Sequence, residues 1–187
     1  MATTKIQAAP QTAKRSFSAG SVISAIGRWI VRNRIYLIAF AIPAVLTYLA
    51  YALFGLYPFG EESVLCLDLN GQYVYYFEAL RDAFWGDGSI FYNWSRNLSG
   101  EFMGIIGYYL ASPFTLIVML LPEKFMLSSL LIMQLCKLGA AGATFNYFLQ
   151  KRRGVQPYPS LLFSTMYAMM AYGVIQLIDP MSVSYTH

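Results

Sequence analysis

The chain has 187 residues, of which 57% are hydrophobic and 12% charged, against about 25% charged in soluble domains, and its mean hydropathy is +0.48. That composition excludes a disordered chain, which lacks apolar surface to bury, and argues against a soluble globular domain. Two cysteines (Cys66, Cys136) give neither a disulfide framework nor zinc-ligand spacing, and the single histidine, His187, leaves no His-based catalysis and no paired-His metal site. The class implied is an all-α integral membrane protein.

Residues 1–34 hold six basic residues (Lys5, Lys14, Arg15, Arg28, Arg32, Arg34) and no acidic one. The start of this arm is rich in Ala, Ser and Thr and reads as a cytoplasmic tail, although its composition also mimics a transit peptide. Val22, Ile23, Ile26, Trp29 and Ile30 recur at helical spacing. With the arginines nearby, they predict an interfacial helix on anionic lipid. Ile35–Leu56 follows, an uncharged run of 22 residues and the first of four stretches near the ~20 that a spanning helix needs. Ala50-Tyr51-Ala52 has signal-cleavage spacing, but the apolar run far exceeds the ~7–15 residues of a signal core.

Residues 57–101 carry seven acidic and two basic residues. The asymmetry across the first span puts the N-terminus in the cytoplasm and this loop outside. Within it, Leu69, Tyr73, Tyr76, Phe77, Leu80 and Phe84 fall on one helical face, with Glu78, Arg81 and Asp82 opposite. The pattern predicts a juxtamembrane helix lying on the outer surface. Gly86-Asp87-Gly88-Ser89 ends it with turn chemistry, and Ile90–Trp94 is an aromatic patch of the headgroup type. Asp68 opens the helix. It fits two roles, an N-cap or a general base just above the bilayer, and Gln72, four residues on, shares its face. Two glycosylation-acceptor patterns, at Asn93 and Asn97, are short enough to be coincidence.

Phe102–Leu121 is the second apolar run, broken by Ser112-Pro113 in its middle. Phe125–Gln150 is the third, interrupted only by Lys137, whose central charge calls for a polar partner inside the bundle and marks a functional candidate. Nearby small residues (Gly139 with Ala143, Ala140 with Thr144) suit close helix contact. Tyr158–Ile178 is the fourth. Four spans place Lys151-Arg152-Arg153 outside, against the positive-inside preference. Either Phe102–Leu121 is re-entrant or interfacial, or the first span outweighs the cluster, since the first segment usually dominates. Four spans, near 35–56, 102–121, 125–150 and 158–178, are the expectation adopted, with 35–187 as the membrane domain.

Several pieces in order then resemble the bacterial membrane protein family YfhO: Asp68 with Gln72-Tyr73, Asn97-Leu98-Ser99-Gly100, Tyr109-Leu110-Ala111-Ser112-Pro113-Phe114, and Leu138-Gly139-Ala140-Ala141-Gly142 after Lys137. The resemblance covers roughly residues 35–178. It implies a branch of the glycosyltransferases of GT-C architecture, which use lipid-phosphate-linked sugars and are linked to glycosylation of cell-envelope polymers such as lipoteichoic acid in the bacterial plasma membrane. By position it assigns the catalytic acid of the first outer loop to Asp68. Members are several times longer, so the resemblance implies the N-terminal part of an enzyme, inactive alone. Asp68 would take the proton of the acceptor hydroxyl, with Gln72 gripping substrate. Arg81, Arg96 and Lys137 are candidates for the departing phosphate, against the plainer reading of Arg81 and Arg96 as surface charges. The implied partners are a polyprenyl-phosphate sugar donor, an envelope acceptor polymer and membrane lipids, with no nucleic acid. No cofactor is implied, and a divalent metal stays open. Without a GxGxxG or Walker sequence, a lipid-linked donor fits better than a sugar nucleotide. Two rival readings remain: a transporter or flippase subunit with Lys137 lining its path, and a non-catalytic membrane fragment.

Overall fold

A computed structural model describes residues 19–61, 69–94 and 100–175. These fall in two units, divided between Arg34 and Ile35. The described elements are helices apart from one short ladder. Helix α1 runs from Ala19 to Leu53, and the arm's apolar stripe lies in its first part. Its side chains at Val22, Ile23, Ile26, Trp29 and Ile30 are exposed. The outer-loop helix begins as a π-helical turn, Leu69–Tyr73, and continues as α2, Val74–Trp85. Strands β1 (Tyr92–Asn93) and β2 (Gly100–Glu101) pair antiparallel. Short helices α3 (Met103–Ile105, extended by a π turn to Leu110) and α4 (Thr115–Leu120) follow. The long α5 is Met126–Arg153, and α6 (Pro157–Ala168) and α7 (Ala171–Ile175) complete the described chain.

Among the described residues, two helical stretches are long and apolar enough to cross a membrane, Val22–Leu53 and Glu123–Arg153. From Ile35 onward the first runs antiparallel to the second. Tyr36 meets the ring of Tyr147 at 5.7 Å, the Tyr51 hydroxyl donates to Gln134 Oε1 at 3.0 Å, and Tyr57 shares a 2.6 Å hydrogen bond with Ser128. The contact is closest at two glycines. A Cβ on Gly139 would stand 2.8 Å from the Phe40 ring, and one on Gly142 would run into the Ala39 carbonyl oxygen. Pro43, inside the helix, has no N–H to offer the carbonyl four residues back. That carbonyl is Ala39's, and the bare Gly142 lets it lie against α5. The small residues do carry close packing, but through Gly139 and Gly142 rather than through pairs four apart.

This antiparallel register bears on the expected second span. One crossing between α1 and α5 would make the two helices run parallel. The stretch between them therefore begins and ends at the same end of the pair. Its backbone agrees: residues 103–120 are no single helix, because Ala111 leaves the helical region at φ −73°, ψ 60° just before Ser112-Pro113. Proline excludes its own amide from the ladder and pushes the preceding residue toward extended backbone. The Lys151-Arg152-Arg153 cluster consequently sits at the end of the unit where the chain enters at Ile35. The fourth stretch is also interrupted, between α6 and α7.

Helices α5 and α6 form an antiparallel hairpin turned by Gly154, whose φ of +65° suits glycine at a helix C-terminus. Buried Asn146 donates to Ser160 Oγ (3.1 Å) and Ser164 Oγ (3.3 Å) and accepts from Gln150 (2.5 Å). Phe145 stacks on Tyr167 at 4.2 Å. Hydrogen-bonded polar residues of this kind join helices where lipid supplies no hydrophobic drive between them.

A second core explains the broken stretch. Leu69, Tyr73, Phe77 and Leu80 of the outer-loop helix are buried against Phe102, Ile105, Leu110, Val118 and Met119, with Leu130 and Met133 of α5 beneath. The predicted apolar face is thus real, but it packs on protein instead of lying on lipid. Phe84, expected on the same face, is exposed; it lies beyond the last core contact, near the helix end. There the Trp85 indole donates to the Met119 carbonyl at 2.9 Å.

Candidate functional site

With one side of α2 fixed in that core, its other side faces outward. Glu78 and Asp82 are four residues apart and so share a face, with Tyr75 one turn before Glu78. The chain then reverses at Gly86–Ser89. The Gly86 and Gly88 amides both donate to the Asp82 carbonyl, at 2.9 and 3.1 Å. A Cβ on Gly88 would stand 2.8 Å from the Ala83 nitrogen, so the reversal requires glycine there. Register Tyr92↔Glu101 and Asn93↔Gly100 holds Tyr92, Asn93 and Trp94 beside the polar face of α2. The Tyr92 and Trp94 rings meet edge to face at 4.7 Å.

Two adjoining clefts of about 200 Å³ each result. One is lined by Tyr75, Tyr76, Glu78, Ala79, Asp82, Asn93 and Ile105. The other is lined by Asp82, Asp87, Ser89, Tyr92 and Trp94, again with Ala79 and Asn93. Burial holds the Glu78 carboxyl above the ordinary carboxylate value of 4.5, and the charges of Glu123 and then Asp82 push the same way. A raised pKa in a cleft is what acid–base chemistry and proton-sensitive binding use.

The shift also sets a stability prediction. The folded chain binds the Glu78 proton more tightly than the unfolded chain does. The corresponding stability is full at acid pH and is lost as pH rises above 4.5 through the shifted value. Glu78→Gln should therefore melt higher than wild type at neutral pH, with the gap closing in acid. Thermal unfolding in detergent across that range checks it, and a gap that widens in acid would contradict the assignment.

Of the residues singled out from sequence, Asp68 and Arg96 lie outside the described residues, as do Cys66, Glu62 and the Asn97 pattern. Gln72 is exposed on the π turn, and Arg81 is half-buried on α2 beside Asp82. Lys137 is buried, only 7% exposed, so it faces protein and not lipid. It stands eleven residues along α5 from Met126, about 16 Å by helical rise, and does not line either cleft. Asp82, by contrast, lines both. Among the described residues no cluster of three or more His, Cys, Asp or Glu could hold a metal ion.

Sequence reasoning passed over Glu78, Tyr75 and Asn93 as site residues. The four-residue spacing of Glu78 and Asp82 was the available signal for the first. Nothing local announces Asn93, because its place depends on pairing with Gly100.

No curated protein and no solved structure matches the chain. The sequence model of the family described as bacterial membrane protein YfhO matches residues 39–182, a stretch that takes in the outer-loop helix, both clefts and Lys137, and the chain belongs to that family.

Proposed function

We propose that this chain supplies the first outer-loop portion of a GT-C-like membrane glycosyltransferase, which moves a sugar from a polyprenyl-phosphate donor to a cell-envelope polymer such as lipoteichoic acid. The observation that carries the reading is the docking of the outer-loop helix. Its apolar side is locked into a protein core, while Glu78, Asp82 and neighbouring aromatic rings open a cleft on the other side. A rigidly held acidic cleft beside a bundle of apolar helices suits chemistry on a substrate with a lipid tail and a polar head. Membership of the YfhO family supports the same reading.

In this proposal Asp68, one residue before the π turn, takes the acceptor's proton as general base while the acceptor oxygen displaces the phosphate at the anomeric carbon with inversion. Gln72 holds substrate. Arg81 and Arg96 meet the departing phosphate, where positive charge is worth most in the transition state. Lys137 would meet a phosphate drawn deeper between the helices. The orientation proposed is N-terminus in the cytoplasm, with three stretches crossing the bacterial plasma membrane. The second stretch, 102–121, turns back on the outer side to carry the loop helix.

The test is transfer of labelled sugar from a polyprenyl-phosphate donor to envelope polymer, in membranes containing the full-length family protein that carries this sequence. Transfer above membranes lacking the protein is the expected result. Movement of donor across the bilayer without transfer would favour the flippase reading instead. The interrupted stretch at Ala111–Phe114 is the observation on that reading's side, since discontinuous helices mark transport paths.

A further inference from the structure

We infer that the two adjoining clefts between α2 and the β1–β2 ladder form one binding site for a neutral, hydroxyl-bearing sugar ring, and that this site excludes the phosphate-rich part of any substrate. The assignment deepens the transferase reading and rests on it for the source of the sugar, but not for the binding itself.

The chemistry of the lining selects the ligand. Ionised carboxylates are acceptors only, each with about four lone-pair sites, and Asn93 offers both an acceptor and donors. Together they match hydroxyl groups, which can donate and accept. Aromatic faces carry the negative side of a quadrupole and so suit the C–H edges of a pyranose ring. Tyr75 (62% exposed) and Trp94 (81% exposed) present such surface at the two clefts. Glu78, Asp82 and Asp87 line the clefts, and among the described residues no Lys or Arg does. Placing a phosphate there would set like charges against each other, which interfaces disfavour. A polyol-phosphate chain is therefore refused where a neutral sugar, or an amino sugar, is accepted.

Size points the same way. Each cleft is about 200 Å³, below the roughly 300–1,000 Å³ of pockets for drug-sized ligands, and so fits a group on the scale of one ring. The two share Ala79, Asp82 and Asn93, so a ring can sit on either side of Asp82 or a disaccharide can straddle it. The α2 wall is fixed in advance. Phe77 and Leu80 anchor α2 from behind, and the Gly88 turn cannot open without losing its contacts to the Asp82 carbonyl. Pre-formed walls reduce the ordering cost of binding. The ring can come from the donor or from a sugar already on the acceptor, and both present the same chemistry.

The experiment is saturation-transfer NMR on the full chain in lipid nanodiscs, with methyl β-glucoside, methyl N-acetyl-β-glucosaminide and a glycerol-phosphate oligomer as probes. Transfer to the ring C–H protons of at least one glycoside is expected, and none to the oligomer. Trp94→Ala and Asp82→Asn should each weaken the glycoside signal at least tenfold. Both side chains are exposed, so loss of folding does not confuse the result, and circular dichroism verifies this. A short-chain polyprenyl-phosphate hexose that displaces the glycoside names the donor as source, and displacement by a neutral oligosaccharide names the acceptor. Absence of glycoside transfer, variants that bind as wild type does, displacement by neither competitor, or equal binding of the phosphate oligomer would each overturn the site. Binding is read without turnover. A chain that binds glycosides within a protein that transfers no sugar would refute the transferase reading and leave the site standing.

Discussion

Asp68→Asn is expected to lower sugar transfer by about 10²–10⁴-fold, the usual contribution of a general base, with the protein present in the membrane at normal amounts. The substitution separates two roles that fit the same position. Asn caps a helix about as well as Asp does, so a cap alone would cost only a few tenths of a kcal/mol. Asn cannot accept the acceptor's proton, however, so a base would be lost outright. Asp68→Ala removes both roles and should add roughly 1 kcal/mol of local destabilisation. Transfer from a polyprenyl-phosphate donor, measured in the full-length family protein, is the readout. Near-normal transfer by the Asn variant would leave Asp68 as a cap and move the base to Asp82 or Glu78 in the neighbouring cleft.

Gly142→Ala is the second large effect, on stability instead of activity. In an unconstrained helix, Gly to Ala gains about 0.8–1.0 kcal/mol from backbone propensity. Here the new methyl would run into the Ala39 carbonyl oxygen and meet Pro43 Cγ at 3.1 Å. A backbone oxygen cannot rotate aside as a flexible side chain can, so α1 would have to move off α5. Overpacking of this kind costs about 1–3 kcal/mol, which outweighs the propensity gain. Gly27→Ala in α1, where a Cβ meets nothing within 4 Å, is the control and should be neutral or stabilising. Unfolding of the purified protein in mild detergent measures both. If Gly142→Ala stabilises as much as Gly27→Ala, the glycine contact does not hold α1 to α5.

The helices were legible where a single period ran uninterrupted. Leu69, Tyr73, Phe77 and Leu80 announce a buried face by spacing alone, and Gly86-Asp87-Gly88-Ser89 announces its end. What spacing cannot give is the partner. The same stripe would suit a lipid surface, and only the tertiary fold sets it against Phe102 and Val118. The stretch 102–121 is harder to read for a related reason: hydropathy records what is buried, not whether lipid or protein buries it. Ser112-Pro113 was the visible warning, and the basic cluster at Lys151–Arg153 was a second. Both fit a segment whose two ends lie at the same end of the α1–α5 pair. The apolar surroundings of Lys137 were enough to predict that it turns inward. The cleft was only half legible, since Glu78 and Asp82 are neighbours on one helix whereas Tyr92, Asn93 and Trp94 reach them through a two-residue ladder.

Sidedness tests the account most directly. With Cys66 and Cys136 replaced by Ser, single cysteines at Asp87, on the rim of the cleft, and at Gln156, just past the basic cluster, are exposed to a membrane-impermeant maleimide on intact cells. The antiparallel register of α1 and α5, together with a cytoplasmic N-terminus, predicts that the cysteine at 87 labels from outside and the one at 156 labels only after permeabilisation. Labelling of both positions from outside would mean that residues 102–121 cross the membrane, and it would contradict both the re-entrant stretch and the docked outer loop built on it.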